Sequence, residues 1–297
     1  MGREQQKIGS IKTFIERLEA LDLDNPSDSV FYFRGHSDHE GFSLVPSIYR
    51  EKEWIENEHR MFREIIMKCP NDFVQVNSSF EKLVRMQHYS LPTRLLDLTA
   101  NPLAALFFAV NENPDKDAEV LIFRIPKKEV KYYDSDTVSI ISSISRLDSS
   151  FRIPGTTDID LFNTDICITD LLNEVKKDNP YFKPYVHRHI LESVVCVKPK
   201  LDNPRIIRQD GAFFVFGIKE KKAMPASVPD SYRLTTESYR LIINKAGKAK
   251  ILGQLATLGI NEATMYPEID TVSKYIKQSI KNELTKASSG RAKGARR

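Results

Sequence analysis

The chain has 297 residues, 41% of them hydrophobic, with 12 Gly, 15 Pro and 44 Lys+Arg against 40 Asp+Glu. Disordered chains carry fewer apolar residues and more net charge, and collagen-like or low-complexity chains far more Gly and Pro, so both are excluded. No run of 18 apolar residues marks a membrane span, residues 1–14 lack the apolar stretch of a secretory signal, and three scattered cysteines (Cys69, Cys167, Cys196) offer neither a disulfide framework nor a CxxC knuckle, so a cytoplasmic, membrane-free globular protein is expected.

In chain order, residues 10–24 carry Ile11, Phe14, Ile15, Leu18 and Leu21 at helical spacing, with Ser10 as N-cap and Asn25-Pro26 as stop. Val30 to Phe33 read as a short buried strand ending at Arg34-Gly35. Residues 51–69 read as one charged amphipathic helix stopped by Pro70, and 79–89 as another. Residues 102–112 are apolar on almost every face, which predicts a central buried helix, and 120–125 a strand. From 127 to 190 charged stretches and serines separate short helical pieces such as 167–177, the pattern of a variable insertion. Strands are expected at 193–198, 205–207 and 212–216, the last after a turn at Asp210-Gly211. Residues 245–258 form an amphipathic helix capped by Gly259, and a last helix after Pro267 aligns Ile269, Val272, Ile276 and Ile280.

Strands and helices are mixed without strict alternation, so an α+β fold is expected, as one domain over 1–285 with a flexible tail at 286–297. The tail holds Lys286, Arg291, Lys293, Arg296 and Arg297 with no acidic residue; setting those five aside from the 44 leaves 39 basic against 40 acidic residues. The globular part is therefore nearly neutral, and the tail either holds a phosphate backbone or is simply solvated.

Three polar clusters stand out. Arg34 at the end of a buried strand calls for an anion or a paired carboxylate, and Gly35 beside it allows a sharp turn and close ligand approach. The segment from Gln87 to Pro102 contains His88, Arg94, Asp97, Thr99 and Asn101 before the buried helix, whose N-terminal amides form a ready phosphate site to which Arg94 could add a bidentate contact. Capping by Asp97, Thr99 or Asn101 explains only part of that set. Late in the chain, Gln209-Asp210-Gly211 follows an apolar strand, and the segment from Gly259 to Asp270 places two carboxylates, Glu268 and Asp270, beside a helix start. GxGxxG, GxxxxGK[ST], HExxH and GxSxG are absent, and His36-x-x-His39 and His187-x-His189 lack a third ligand, so no metal is expected.

In this order the clusters resemble the FRG domain family over roughly 30–280: Phe33-Arg34-Gly35, Leu44 to Arg50, Gln87-His88-Tyr89, Leu91 to Asp97, Thr99-x-Asn101-Pro102-x-x-Ala105, Arg205-Ile206-x-x-Gln209-x-Gly211-x-Phe213, and Gly259-Ile260 to Tyr266-Pro267. Ser90 stands where that family usually has Gly, and Leu98 where it has an aromatic. A weaker similarity links Arg34-Gly35 and Thr99 to the first two motifs of arginine-type ADP-ribosyltransferases. It implies a mixed or antiparallel split-sheet core, NAD as substrate, and a binding set of Arg34, Gly35, His88, Arg94, Thr99 and Asn101. The third motif of those enzymes is a Glu; here the candidates are Glu268, Gln209 and Asp97. The implied activity is an NAD-dependent ADP-ribosyltransferase, of the kind found as bacterial toxins or phage-defence effectors. Its acceptor would be RNA, DNA or protein, with RNA favoured, and an antitoxin protein a candidate partner. The alternative is a non-catalytic module that binds a nucleotide or phosphate ligand.

Overall fold

Ser10 accepts a hydrogen bond from the Thr13 amide while its own amide donates to Thr13 Oγ1, and this capping box starts α1 (Ile11–Glu19), which buries Phe14 and Leu18. The computed structural model describes residues 7–21, 28–234, 240–268, 271–273 and 275–277. The expected stop at Asn25-Pro26, Ile269 and Ile280 of the last helix, Asp270 and the basic tail lie outside the described residues.

The chain continues through β1 (Ser29–His36), α2 (Lys52–Glu56), α3 (Glu58–Lys68), α4 (Ser79–His88), β2 (Leu95–Thr99), α5 (Pro102–Val110) and β3 (Ala118–Pro126). The stretch read as an insertion holds β4 (Lys131–Tyr132), α6 (Asp136–Ser143), α7 (Ile159–Thr164), α8 (Ile166–Asp178) and α9 (Arg188–Leu191). Then come β5 (Val194–Lys198), α10 (Pro204–Gln209), β6 (Gly211–Phe216), β7 (Leu241–Ile243), α11 (Lys248–Thr257) and α12 (Glu262–Met265). The strands form one seven-stranded sheet in the order β4-β5-β6-β2-β1-β3-β7. The β4–β5 pair is parallel and the others antiparallel, so the sheet is mixed as expected.

Alternation along the strands sorts the core. Leu95, Val195, Phe213 and Val215 pack with α3, α4, α6 and α8, whereas Leu96, Cys196, Phe214 and Phe216 join Tyr32 and Phe123 in a separate cluster. Phe33, Val120 and Ile122 pack instead with α1, α5 and α11. The insertion thus supplies a wall of the main core. Between the two halves, β1 and β2 are joined by one paired position, Phe33 with Thr99, so the split expected in the sheet reduces to a narrow join at its centre.

Three local readings are corrected. The helix expected over 51–69 breaks at Asn57, whose φ of −110° and ψ of 15° separate α2 from α3. Residues 205–207 are helical, not extended: Asn203 accepts from the Arg205 amide at 2.8 Å, Pro204 fits the first turn, and Asp210 in the left-handed region (φ 47°) ends α10. Gly35 does not turn the chain. It lies inside β1, and a Cβ there would sit 2.1 Å from the Ala105 carbonyl oxygen and 2.6 Å from the Ala109 nitrogen of α5.

Ser90 closes α4 at a φ of 63°. Its amide donates to the Gln87 carbonyl and the Leu91 amide to the Met86 carbonyl, both at 3.0 Å, the paired bonds of a Schellman cap. A left-handed cap position explains why glycine is usual there.

Two substitutions should therefore act in opposite directions. Gly35→Ala should destabilise the domain by about 3 kcal/mol or more, because the clash is with helix backbone. Ser90→Gly should stabilise it by about 0.5–1 kcal/mol by relieving the left-handed serine. Urea denaturation of both variants checks the signs.

Candidate functional site

The join between β1 and β2 opens into a cavity of about 220 Å³. Arg34, one residue before Gly35 on β1, reaches across it: Nε donates to His36 Nε2 at 3.1 Å and Nη1 to the Asp97 carbonyl oxygen at 2.6 Å. Two acceptors thus orient the guanidinium, and its remaining donors are left over. Burial works against its charge and holds its pKa below the ordinary arginine value, opposed by the Asp97 carboxylate.

His36 is the unusual partner. Burial, then the charges of Arg34 and Arg50, push its pKa down to about 3, so the ring is neutral at neutral pH. Because Nε2 accepts from Arg34, the ring proton belongs on Nδ1.

Two further guanidiniums line the cavity. Arg50 lies 5.6 Å from the centre of the Phe42 ring, and Arg205 of α10 lies 4.7 Å from that of Tyr266 while donating to the His88 carbonyl oxygen at 3.3 Å. Among the described residues, none of the three arginines has a carboxylate within ion-pair distance. Asp97 and Glu112 also line the cavity, Glu112 just beyond the end of α5. The loop bearing Glu112 is pinned by buried Lys248, whose Nζ donates to the carbonyls of Ser37 (2.8 Å), Glu112 (2.9 Å) and Asn113 (2.8 Å). Thr99 Oγ1 donates to the Gln209 carbonyl oxygen, and Gln209 Nε2 to that of Met265 at 2.9 Å, tying β2, α10 and α12 around one wall.

Residues 29–118 match the family model of the FRG domain. The chain carries an FRG domain. No curated protein and no solved structure matches it. The matched stretch supplies Arg34, His36, Arg50, Asp97, Thr99 and Glu112; Arg205, Gln209 and Tyr266 close the cavity from beyond it.

Of the residues expected to form the site, Arg34, Gly35, Asp97, Thr99 and Gln209 line this cavity. Arg94 does not. It is fully buried and paired with Glu58 through Nε (2.9 Å) and Nη2 (2.5 Å), while its Nη1 donates to the Phe216 carbonyl oxygen at 3.0 Å. Lys222 Nζ lies 3.1 Å from Glu58 Oε2. Burial opposes the Glu58 charge, but Arg94 and Lys222 outweigh it and hold the carboxyl below the usual range. The arginine read as a phosphate ligand is instead an internal lock between α3, β2 and β6.

Asn101 is also reassigned. Its Oδ1 accepts from the amides of Leu103 (2.9 Å) and Ala104 (3.3 Å), so it caps α5, while the cavity faces the other end of that helix at Phe108, Asn111 and Glu112. Two amides of the helix start are thus taken up by its own cap. His88 and Glu268 line an adjoining depression of about 150 Å³ that shares Arg205 with the cavity. His187 and His189 stack on each other at 5.4 Å, and among the described residues no three His, Cys, Asp or Glu side chains gather as metal ligands. Cys196 is buried, which pushes its thiol up to about 12. No helix of the described residues is long and apolar enough to cross a membrane.

The sequence reading did not single out Glu112, Lys248 or Arg50 as site residues. Arg50 lay within the quoted family motif; Glu112 follows an apolar helix directly, where a carboxylate opposes the dipole and so hints at another duty.

His36 makes acid stability a test of this geometry. Its folded pKa of about 3 lies below the ordinary 6.5, so the unfolded chain takes up the proton first. The contribution of the neutral ring is complete above pH 6.5 and declines as the pH falls toward 3. His36→Gln keeps an acceptor for Arg34 and removes the titration. Melting temperatures between pH 7 and 4 should fall less steeply in that variant; parallel curves would contradict the assignment.

Proposed function

We propose that the FRG-domain cavity binds the pyrophosphate and one nucleoside half of NAD, and that the protein is an NAD-dependent ADP-ribosyltransferase. The observation that carries this reading is the convergence of Arg34, Arg50 and Arg205, none with a carboxylate partner among the described residues, beside the rings of Phe42, Phe108 and Tyr266. Guanidiniums in a partly desolvated site favour phosphate oxygens, and the rings offer faces to a base. The cavity, at about 220 Å³, is smaller than the roughly 300–1,000 Å³ of pockets that enclose a whole drug-sized ligand, so it suits the reacting half of a dinucleotide.

In this reading the glycosidic electron pair leaves with nicotinamide and positive charge grows on the ribose. Asp97 and Glu112 would stabilise it electrostatically, and Thr99 and Gln209 shape the wall. The acceptor is a nucleic acid or a protein. One observation favours a binding module without turnover: Gln209, one candidate for the third transferase motif, offers an amide and not a carboxylate, and that amide already donates to the Met265 carbonyl oxygen.

Titration calorimetry with NAD, and nicotinamide release followed by chromatography, separate these readings. Arg34→Ala should weaken NAD binding by about 10- to 100-fold, the worth of charge-assisted hydrogen bonds. Asp97→Asn should keep most of the affinity and lower nicotinamide release by about 100-fold. Unchanged affinity in Arg34→Ala removes NAD as the ligand. Arg34-dependent binding with no nicotinamide release assigns the binding module.

A further inference from the structure

The depression beside the cavity carries its own arrangement of titratable groups. Asn203 begins it. Its Oδ1 is committed to the Arg205 amide at 2.8 Å as the cap of α10, so its Nδ2 is the atom turned to His88 Nδ1, at 3.3 Å. An amide NH2 can only donate, so Nδ1 must accept and the ring proton sits on Nε2. Nε2 lies 3.2 Å from Glu268 Oε1, an oxygen that forms no aligned hydrogen bond among the described residues. A helix cap thus fixes a histidine tautomer, and the protonated ring nitrogen lies close to a buried carboxylate oxygen that has no aligned donor among the described residues. Burial lowers the His88 pKa despite Glu268, which keeps the ring in this neutral form.

The surroundings identify what the carboxylate faces. Arg85 and Arg205 both line the depression, and neither has a carboxylate within ion-pair distance among the described residues. A smaller groove continues from Arg85 along Val84, Phe80 and Ile206 to Lys200. Its acidic groups are engaged: Glu81 accepts from the Ser78 amide at 3.0 Å, and Asp202 lies 3.9 Å from Lys200. Arg85 and Arg205, the two cations of this stretch with no carboxylate in ion-pair distance among the described residues, suit successive phosphates of a strand better than a single compact acceptor.

We propose that this depression is the acceptor site, that it takes a single-stranded nucleic acid, with RNA as the probe, and that Glu268 is the general base for the attacking group, with His88 and Asn203 as positioning residues. The inference rests on the reading of the cavity as an NAD site. The acceptor's lone pair forms a bond to ribose C1′ as the bond from C1′ to nicotinamide breaks, nicotinamide leaves with that electron pair, and the acceptor proton passes to Glu268. Arg205, shared by cavity and depression, lies where the two substrates meet.

The test uses the full chain, a fluorescent oligouridylate of twelve nucleotides, and phosphate-labelled NAD. By anisotropy, wild type should bind the oligonucleotide, and Arg85→Glu should weaken binding at least tenfold. With NAD added, label should appear on the RNA, and Glu268→Gln should lower the ratio of RNA labelling to nicotinamide release at least tenfold. Arg34→Ala should lower both together. Nitrogen-15 NMR should find the His88 proton on Nε2. Asn203→Asp keeps the cap but replaces the donor by an acceptor; it should move that proton to Nδ1 and depress the same ratio. No oligonucleotide binding, binding indifferent to Arg85→Glu, label on protein alone, or a wild-type proton on Nδ1 each overturns the proposal. RNA binding without nicotinamide release refutes the transferase reading of the cavity, and the role of Glu268 as base falls with it. An equal loss of labelling and release in Glu268→Gln would place Glu268 in the glycosidic step and also overturn its role here.

Discussion

At Gly35 the backbone of β1 and the backbone of α5 approach until a single Cβ would overlap both a carbonyl oxygen and an amide nitrogen. The cavity's geometry follows from that approach. With α5 seated so closely on β1, Phe108, Asn111 and Glu112 become a wall of the space beside Arg34. On the other side, β2 meets β1 at one paired position and then belongs to β6, with which five residue pairs are in register. A helix pressed down on one strand and a neighbour attached mainly elsewhere leave a gap at the centre of the sheet, where a continuous ladder would have left none.

The gap needs walls that stay in place, and buried charges hold them. Lys248 satisfies all three of its donors with backbone carbonyls, so it fixes the loop after α5 without neutralising any side chain in the cavity. Arg94, Glu58 and Lys222 do the equivalent for the far half, tying α3 to the strands. Removing one member of such a group strands the others, which costs about 3–5 kcal/mol, more than the intact group contributes relative to apolar packing. These clusters specify positions more than they add stability.

That distinction decides what the sequence could reveal. Capping signals and apolar stripes are local, and α1, α4, α5, α8 and β6 lie close to where spacing puts them. Ser90 was legible as a departure from a usual glycine, and its left-handed φ gives the reason. Arg34 and Arg94 were not separable, since both border apolar strands. What distinguishes them is Glu58, thirty-six residues before Arg94 at the start of a helix that reads as ordinary charged surface; the fold buries that carboxylate. Gly35 was misread for a related reason: a glycine beside an arginine suggests a turn, while the helix that requires it arrives seventy positions later. Ile206-Ile207 looked extended because two β-branched residues outweigh a single Asn-Pro start, yet Asn203 and Pro204 supply both cap and first turn.

The partner chosen for Arg34 bears on function as much as on fold. An aspartate or glutamate in place of His36 would orient the guanidinium equally well and cancel its charge; a protonated histidine would repel it. A neutral imidazole, kept neutral by burial and by Arg34 and Arg50, accepts the Nε hydrogen and leaves the positive charge whole. The second contact goes to the carbonyl of Asp97 and not to its carboxylate, with the same effect. Both restraints therefore fix direction without lowering net charge, which is the arrangement an anion site requires and a structural ion pair does not. Asp97 and Glu112 share that cavity without lying in ion-pair contact with its arginines, so positive and negative groups remain available in one small volume. A ligand carrying phosphate at one end and developing positive charge at the other would meet the complement of both.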